Sequence, residues 1–269
     1  MPQYTDLVVV CCHAIFLGDI QSRECDVFSA SQWYLQSFQK PTGTKPGEHE
    51  TFIQHIKAGL DALVYGAIKD TGLLVFSGGA TARSVTSLSE AQSYFNAVVA
   101  LSKSSNLDQS YAQCLKSRVL LEENATDSYQ NLLFSILRFR RATGTYPKTI
   151  RIITHAFKTE RFLMAHAKAL RWPEDRIRIQ GIDPVMSATE HVETVTGERM
   201  RGLTPWTQDM YGTRAPLSVK RAQRGWQDSR LEDVGDELGG EMWELLRYDG
   251  GEDGQMIYKG PLPWSTRLE

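Results

Sequence analysis

The sequence predicts an open parallel α/β sheet of about five strands with helices on both faces, followed by an irregular C-terminal extension. Short β-prone runs alternate with stretches of helical periodicity from Leu7 to Ile182. The first run, Leu7–Cys12, is continuously apolar, as expected of a strand buried on both faces. Strands separated by helices of this length need crossover connections, which are right-handed and leave the strands parallel.

Taken in order, Leu7–Cys12 is the first strand. A polar stretch with Gly18 and Asp19 follows, then a short amphipathic piece around Trp33, Leu35 and Phe38. Lys40–Gly47, rich in Pro and Gly, is a loop. From Thr51 onward Ile53, Ile56, Leu60, Leu63, Val64 and Ala67 recur at helical spacing, and Thr51 with Gln54 forms a capping box. Leu73–Ser77 is the second strand, ended by Gly78-Gly79. Ser87-Leu88-Ser89-Glu90 is a second capping box, and the helix it opens turns Ala91, Tyr94, Phe95 and Val98 inward. The third strand, Arg118–Leu121, leads to a helix carrying Leu132, Leu133, Ile136 and Leu137, closed by Gly144 with Pro147 just beyond. The fourth, Thr149–Thr154, leads to a helix with Phe162, Ala165, Ala169 and Leu170 inward. Arg176–Ile182 alternates through Ile177 and Ile179, which suits an edge strand with one wetter face.

After Pro184 the alternation stops. Trp206, Trp226, Trp243 and Trp264 stand among charges and glycines, with one helical stretch at Glu241–Tyr248. Such a segment cannot build its own core. The expected division is an α/β domain over residues 1–204 and an extension over residues 205–269 packed on it.

A chain of 269 residues can bury a sizeable core. Its 30 Lys and Arg against 32 Asp and Glu give no footprint for nucleic acid or for a membrane surface. The longest apolar stretch, Leu7 to Leu17, contains His13 and is too short to span a bilayer. Asp6 precedes it instead of a basic segment, and no small-residue cleavage site follows, so no secretory signal is expected. Cys11, Cys12, Cys25 and Cys114 lack ligand-like spacing and read as free thiols of a reducing, cytoplasmic protein with no metal site.

Three strands end in polar clusters, and ligands of open parallel sheets bind outside the strands' carboxyl ends. Ser77-Gly78-Gly79 is either a turn that needs glycine or a cradle whose N–H groups hold an anion. Arg83, in the loop that follows, closes over that anion or is merely solvated. In Glu122–Asn131, capping accounts for one or two of Thr126, Asp127 and Ser128. It does not account for Glu122 at the strand end together with Asn131, one turn beyond Asp127 on the same helical face. These carboxylates are candidates to bind a sugar hydroxyl, hold a hard cation or act as general base. Lys158 and Arg161, three apart in a helix's first turns, gain nothing from the helix dipole, so they suggest an anionic partner or surface ion pairs. His155 at the fourth strand end and His13 after the first are candidate acid–base groups or satisfied histidines.

Together, Ser77-Gly78-Gly79 with Ser89-Glu90-Ala91, Glu122 with Asp127-Ser128 and Asn131, and Thr154 with Arg161 resemble the YdcF-like family, which includes the bacterial YdcF, SanA and ElyC proteins. The resemblance covers roughly Leu7 to Gly181. His13-Ala14-Ile15 with Gly18, Trp33, His55-Ile56-Lys57-Ala58-Gly59, Tyr94, Pro205-Trp206, Asp209, Tyr211-Gly212 and Lys220-Arg221 look like its eukaryotic, fungal-type branch. The resemblance implies a three-layer Rossmann-like fold with a polar pocket at the strand ends. It adds Glu90 to the ligand-binding residues and implies S-adenosylmethionine as a possible ligand. Gln130 stands where the family has an acidic residue, Asp127-Ser128 where it has asparagine-threonine, Lys158 where it has histidine, and Cys12-His13 where a glycine is expected. A proton-shuttling role at Lys158 requires a strongly lowered pKa, so anion binding is the simpler expectation.

Three functional readings follow. In the first the protein is an enzyme, a hydrolase or transferase on a phosphorylated or otherwise anionic small metabolite. Glu122, Asp127 and His155 are its acid–base groups, and His13, Ser77, Gly78, Gly79, Arg83, Glu90, Ser128, Asn131, Lys158 and Arg161 bind its ligand. In the second it is a non-catalytic nucleotide or S-adenosylmethionine binder. In the third it is a scaffold whose polar strand ends only cap helices.

Overall fold

The computed structural model describes residues 4–43, 45–104, 109–235 and 239–265. Five strands form one all-parallel sheet: β1 (Asp6–Cys11), β2 (Gly72–Ser77), β3 (Val119–Glu122), β4 (Thr149–Thr154) and β5 (Ile177–Gly181), in the spatial order β3-β2-β1-β4-β5. This is the mononucleotide-binding order of Rossmann-type sheets, and it reverses between β1 and β4.

Side-chain alternation along the strands feeds two cores. Leu7, Val9, Cys11, Leu73 and Val75 pack with helix α4 (Ser128–Thr143), with helix α5 (residues 159–169) and with the C-terminal extension. Val8, Val10, Leu74 and Phe76 pack on the opposite face with α1 (His49–Val64), α2 (Glu90–Ser104) and α3 (Gln109–Ser117). β5 is the expected edge strand, with Ile177 buried and Arg178 exposed. Gly144 closes α4 in the left-handed conformation at φ 77°, its N–H returning to the Arg140 carbonyl.

The amphipathic piece around Trp33 is part strand and part turn, and both expected capping boxes are corrected. Trp33–Tyr34 pairs antiparallel with Ile15–Phe16, and a 3-10 turn, Ser37–Gln39, follows. α1 starts at His49, so Thr51 lies inside it and caps nothing. α2 starts at Glu90, where the Ser89 hydroxyl accepts the Gln92 N–H at 2.9 Å, so the cap is Ser89 and not Ser87.

The segment after Pro184 holds more helix than its sequence announces. Residues 188–208 form one helix, α6, made of Ala188–Glu198, a π-helical segment Arg199–Leu203, and Thr204–Gln208. The division at residue 204 therefore falls inside a helix. Helices α7 (Leu217–Gln223), α8 (Arg230–Gly235) and α9 (Gly240–Leu246) follow. α6 stayed hidden because Val192, Val195 and Met200 are exposed and its buried positions include Gly197 and Gly202, so no apolar period develops. The extension shares the α4–α5 core through Trp206, Tyr211, Leu245 and Trp264. The Trp264 indole donates to the Leu170 carbonyl at 2.7 Å and the Tyr211 hydroxyl to the Ala169 carbonyl at 3.0 Å. No disulfide forms: Cys11, Cys12 and Cys114 are buried thiols and Cys25 a half-buried one. Among the described residues no helix is long and apolar enough to cross a membrane.

Candidate functional site

A cleft of about 1130 Å³ opens at the carboxyl edge of the sheet, over the point where strand order reverses. Its base is the junction of β1 and β4. The His13 ring, directly after β1, stacks on the His155 ring, directly after β4, with centroids 4.6 Å apart. His155 stacks in turn on Phe157 at 4.8 Å, and His55 of α1 stands edge-on to His155 at 5.2 Å. Burial, reinforced by Lys158, holds the His13 and His155 pKa values well below the ordinary imidazole range. Burial takes His55 to about 4. At neutral pH all three rings are therefore uncharged.

One tautomer follows from the contacts. The Lys158 ammonium has only hydrogens to offer and lies 3.3 Å from His13 Nδ1, so Nδ1 accepts. His13 Nε2 then carries the proton and donates to the Thr154 hydroxyl at 3.1 Å. Lys158 itself has its pKa lowered to about 8, by burial first and by Arg161 second. That is the shift a proton-transferring lysine requires, and no carboxylate among the described residues lies within 4.0 Å of its ammonium. His155 is 3 % exposed, and neither of its ring nitrogens has a hydrogen-bond partner among the described residues. The Glu48 carboxylate stands 3.8 Å from His155 Nε2.

One turn further, Arg161 forms an ion pair with Glu198 of α6 at 3.0 Å. Both α5 and α6 become π-helical immediately after this pair, at Phe162 and at Arg199. Gly197 and Gly202 leave room for the Arg201 and Glu198 side chains to fold back along α6. A Cβ at Gly202 would fall 2.4 Å from a Glu198 carboxylate oxygen, and one at Gly197 would fall 2.3 Å from the Arg201 guanidinium. Of the Lys and Arg residues lining the cleft there are seven (Lys45, Arg83, Lys158, Arg161, Arg201, Lys220, Arg224), against five Asp and Glu (Glu48, Glu90, Asp127, Glu193, Glu198). Burial raises the pKa of Glu48, and that of Glu90 to about 7, which thins the negative side further.

The remaining predicted residues divide. Arg83 lies exposed at the rim. Glu90 lines the cleft while accepting the Thr81 hydroxyl. Asp127, Ser128 and Asn131 line it too, but Asp127 and Ser128 already have partners. Asp127 caps α4 by accepting the Gln130 N–H at 2.9 Å and is ion-paired with Arg221 Nε. The Ser128 hydroxyl meets His166 Nε2 at 2.7 Å, and Asn131 lies buried beside the Cys11 thiol, whose pKa it helps to lower against the larger effect of burial.

Ser77, Gly78, Gly79 and Glu122 do not line the cleft. Glu122 is 4 % exposed. It takes the Ser77 hydroxyl at 2.5 Å on one oxygen, and the Asn124 and Ala125 N–H groups at 2.7 and 3.0 Å on the other. The Gly78 and Gly79 N–H groups donate to the Glu122 and Ala125 carbonyls at 3.0 and 2.7 Å, so they hold backbone and not an anion. Glycine is needed there for space: a Cβ at Gly79 would stand 3.0 Å from the Ala125 carbonyl oxygen. Spacing alone did not point to Glu48, Glu198 or Arg201. The available signal was Gly197 and Gly202 bracketing Glu198 and Arg201 in one short segment, since a glycine inside a helix often marks a packing requirement.

An uncharacterised protein of Saccharomyces cerevisiae, YOR238W, is 28 % identical over 262 residues, covering 83 % of this chain and 84 % of the yeast protein. No family model and no solved structure matches the chain. Among the described residues, no group of three or more His, Cys, Asp or Glu side chains is arranged to hold a metal ion.

Proposed function

We propose that this is a YdcF-like protein of the eukaryotic, fungal-type branch, and that its cleft binds a phosphorylated or otherwise anionic small metabolite and acts on it by proton transfer. One observation carries the reading. Lys158 sits in the cleft with its ammonium against a neutral imidazole and with no carboxylate of the described residues within 4.0 Å, one helical turn from Arg161. A partly buried cation placed in this way is incomplete without an external anion.

The chemistry follows from the same groups. The anion lies against Lys158 and Arg161, with Arg201, Lys220 and Arg224 adding long-range attraction. Lys158, titrating at about 8, gives or takes the proton, and His13 and Thr154 hold it in line. His155, uncharged and with no hydrogen-bond partner for its ring nitrogens among the described residues, is the second acid–base group. Asp127 serves by holding the start of α4 and Arg221 in place. These roles fit a hydrolase or transferase.

Of the two ligands of the non-catalytic alternative, a nucleotide suits the same cationic lining, whereas S-adenosylmethionine fits less well. S-adenosylmethionine brings a sulfonium and an ammonium with one carboxylate, and it would meet seven Lys and Arg side chains against five Asp and Glu. Native mass spectrometry of freshly purified protein tests the reading. A co-purifying anion that is stripped by raised ionic strength is expected. A clean apo mass, together with no calorimetric response to inorganic phosphate, would refute it.

A further inference from the structure

The cleft is larger than a lone phosphate or a small carboxylate requires, and its two sides differ in chemistry. One side is the cationic group already described. The other is the antiparallel ribbon and the turn after it, which contribute Tyr34 and Phe38.

Phe38 is 68 % exposed, and no other aromatic ring of the described residues packs on it or on Tyr34. An exposed phenylalanine on a loose loop would need no explanation. This one stands on a turn fixed from three directions. The Gln39 side chain accepts the Gln36 N–H at 2.8 Å and donates to the His13 carbonyl at 3.2 Å. The Gln39 carbonyl accepts the Glu48 N–H at 2.9 Å. The same turn is therefore tied to the end of β1, where the acid–base groups stand, and to the start of α1. A rigid turn that holds a large apolar ring in the mouth of a polar cleft is a preformed platform, because a ligand that covers the ring loses little flexibility on binding.

We infer that the ligand is a phosphate ester that also carries a flat aromatic ring, its phosphate on Lys158 and Arg161 and its ring stacked on Phe38 beside Tyr34. This rests on the anion-binding reading of the same cleft and narrows its substrate class. A ring covering Phe38 removes apolar surface from water and gains the offset contacts that aromatic pairs favour. A ligand with both ends uses both sides of the cleft, whereas a sugar phosphate or inorganic phosphate uses one.

Calorimetric titration with adenosine 5′-monophosphate, ribose 5-phosphate and inorganic phosphate separates the two claims. The nucleotide is expected to bind at least tenfold more tightly than ribose 5-phosphate. Phe38→Ala, at an exposed position where the fold has little at stake, should weaken the nucleotide by roughly fivefold or more and leave ribose 5-phosphate unchanged. Arg161→Ala should weaken both. Equal affinity for the nucleotide and the sugar phosphate, or a Phe38→Ala variant that binds both as wild type does, overturns the ring platform while the anion site stands. If none of the three phosphates binds, both claims fall.

Discussion

Two ends of the same sheet carry similar polar sequences and are built to opposite purposes. At the ends of β2 and β3, Ser77, Gly78, Gly79 and Glu122 bond one another and the backbone of Asn124 and Ala125, and none of these four lines the cleft. At the ends of β1 and β4, His13, His155 and Lys158 line the cleft, and His155 and Lys158 have hydrogen-bonding capacity left over. A closed network spends its donors and acceptors on the fold, whereas an open one keeps some for a partner. The difference does not lie in residue type, since both ends hold titratable groups moved far from their ordinary pKa by burial.

The largest expected effect tests the closed end. Glu122→Ala leaves the buried Ser77 hydroxyl, the buried Ala125 N–H and the half-buried Asn124 N–H without their acceptor. It should cost about 3 kcal/mol or more of stability, read from urea unfolding, while Glu122→Gln, which keeps an acceptor oxygen, costs less. If Glu122→Ala instead unfolds like wild type and loses phosphate binding, then the two ends have been assigned the wrong way round.

The open end is tested by Arg161. Arg161→Ala should weaken phosphate binding by about 1.5–3 kcal/mol, the range for hydrogen bonds to charged groups, while the fold survives. Arg161→Lys should restore only part of the loss, because lysine lacks the planar fork that meets an anion at two points. Salt should weaken binding more in the wild type than in Arg161→Ala. Calorimetry returning one affinity for all three proteins would retire the anion grip.

The fold was legible because its signals are local and redundant. Continuous apolar runs, helical spacing and Gly144 each pointed to the sheet and helices that the molecule has, to within a residue or two at most ends. The cleft was legible at Lys158 and Arg161, whose charge at the start of a helix has no local explanation. Glu122 misled because a buried carboxylate bonded to backbone and one facing a ligand look alike in sequence, and only the positions of Asn124, Ala125 and Ser77 in space tell them apart. Glu198 and Arg201 were illegible for a different reason. α6 buries glycine and exposes valine, so the helix that carries them has no apolar period.

A subtler difference between the ends is that the open one should titrate with its ligand. Lys158 has a depressed pKa of about 8, and an anion beside it favours the charged form. Binding above pH 8 must then take up a proton, so affinity is full below pH 8 and falls as pH rises beyond it, by at most about tenfold per unit. Sulfate, whose own charge is constant over this range, is the suitable probe. Lys158→Arg, always charged, should bind sulfate with little pH dependence. A wild type whose sulfate affinity is flat from pH 7 to 9.5 would show that Lys158 does not titrate there in contact with the anion.

The smallest effect belongs to Arg83, which shares the cleft with Arg161 but not its setting. The Arg161 side chain is 13 % exposed and paired with Glu198, whereas Arg83 lies exposed at the rim with no carboxylate of the described residues within 4.0 Å. Around a solvated charge the dielectric is high and mobile ions are near, so its attraction for a phosphate is weak at physiological salt. Arg83→Ala should therefore change stability and phosphate affinity by no more than about 0.5 kcal/mol, with the affinity difference growing as salt is removed. Calorimetry at two ionic strengths checks this. A loss as large as that from Arg161→Ala, persisting at high salt, would mean that the loop carrying Arg83 folds over the bound anion and removes that guanidinium from water.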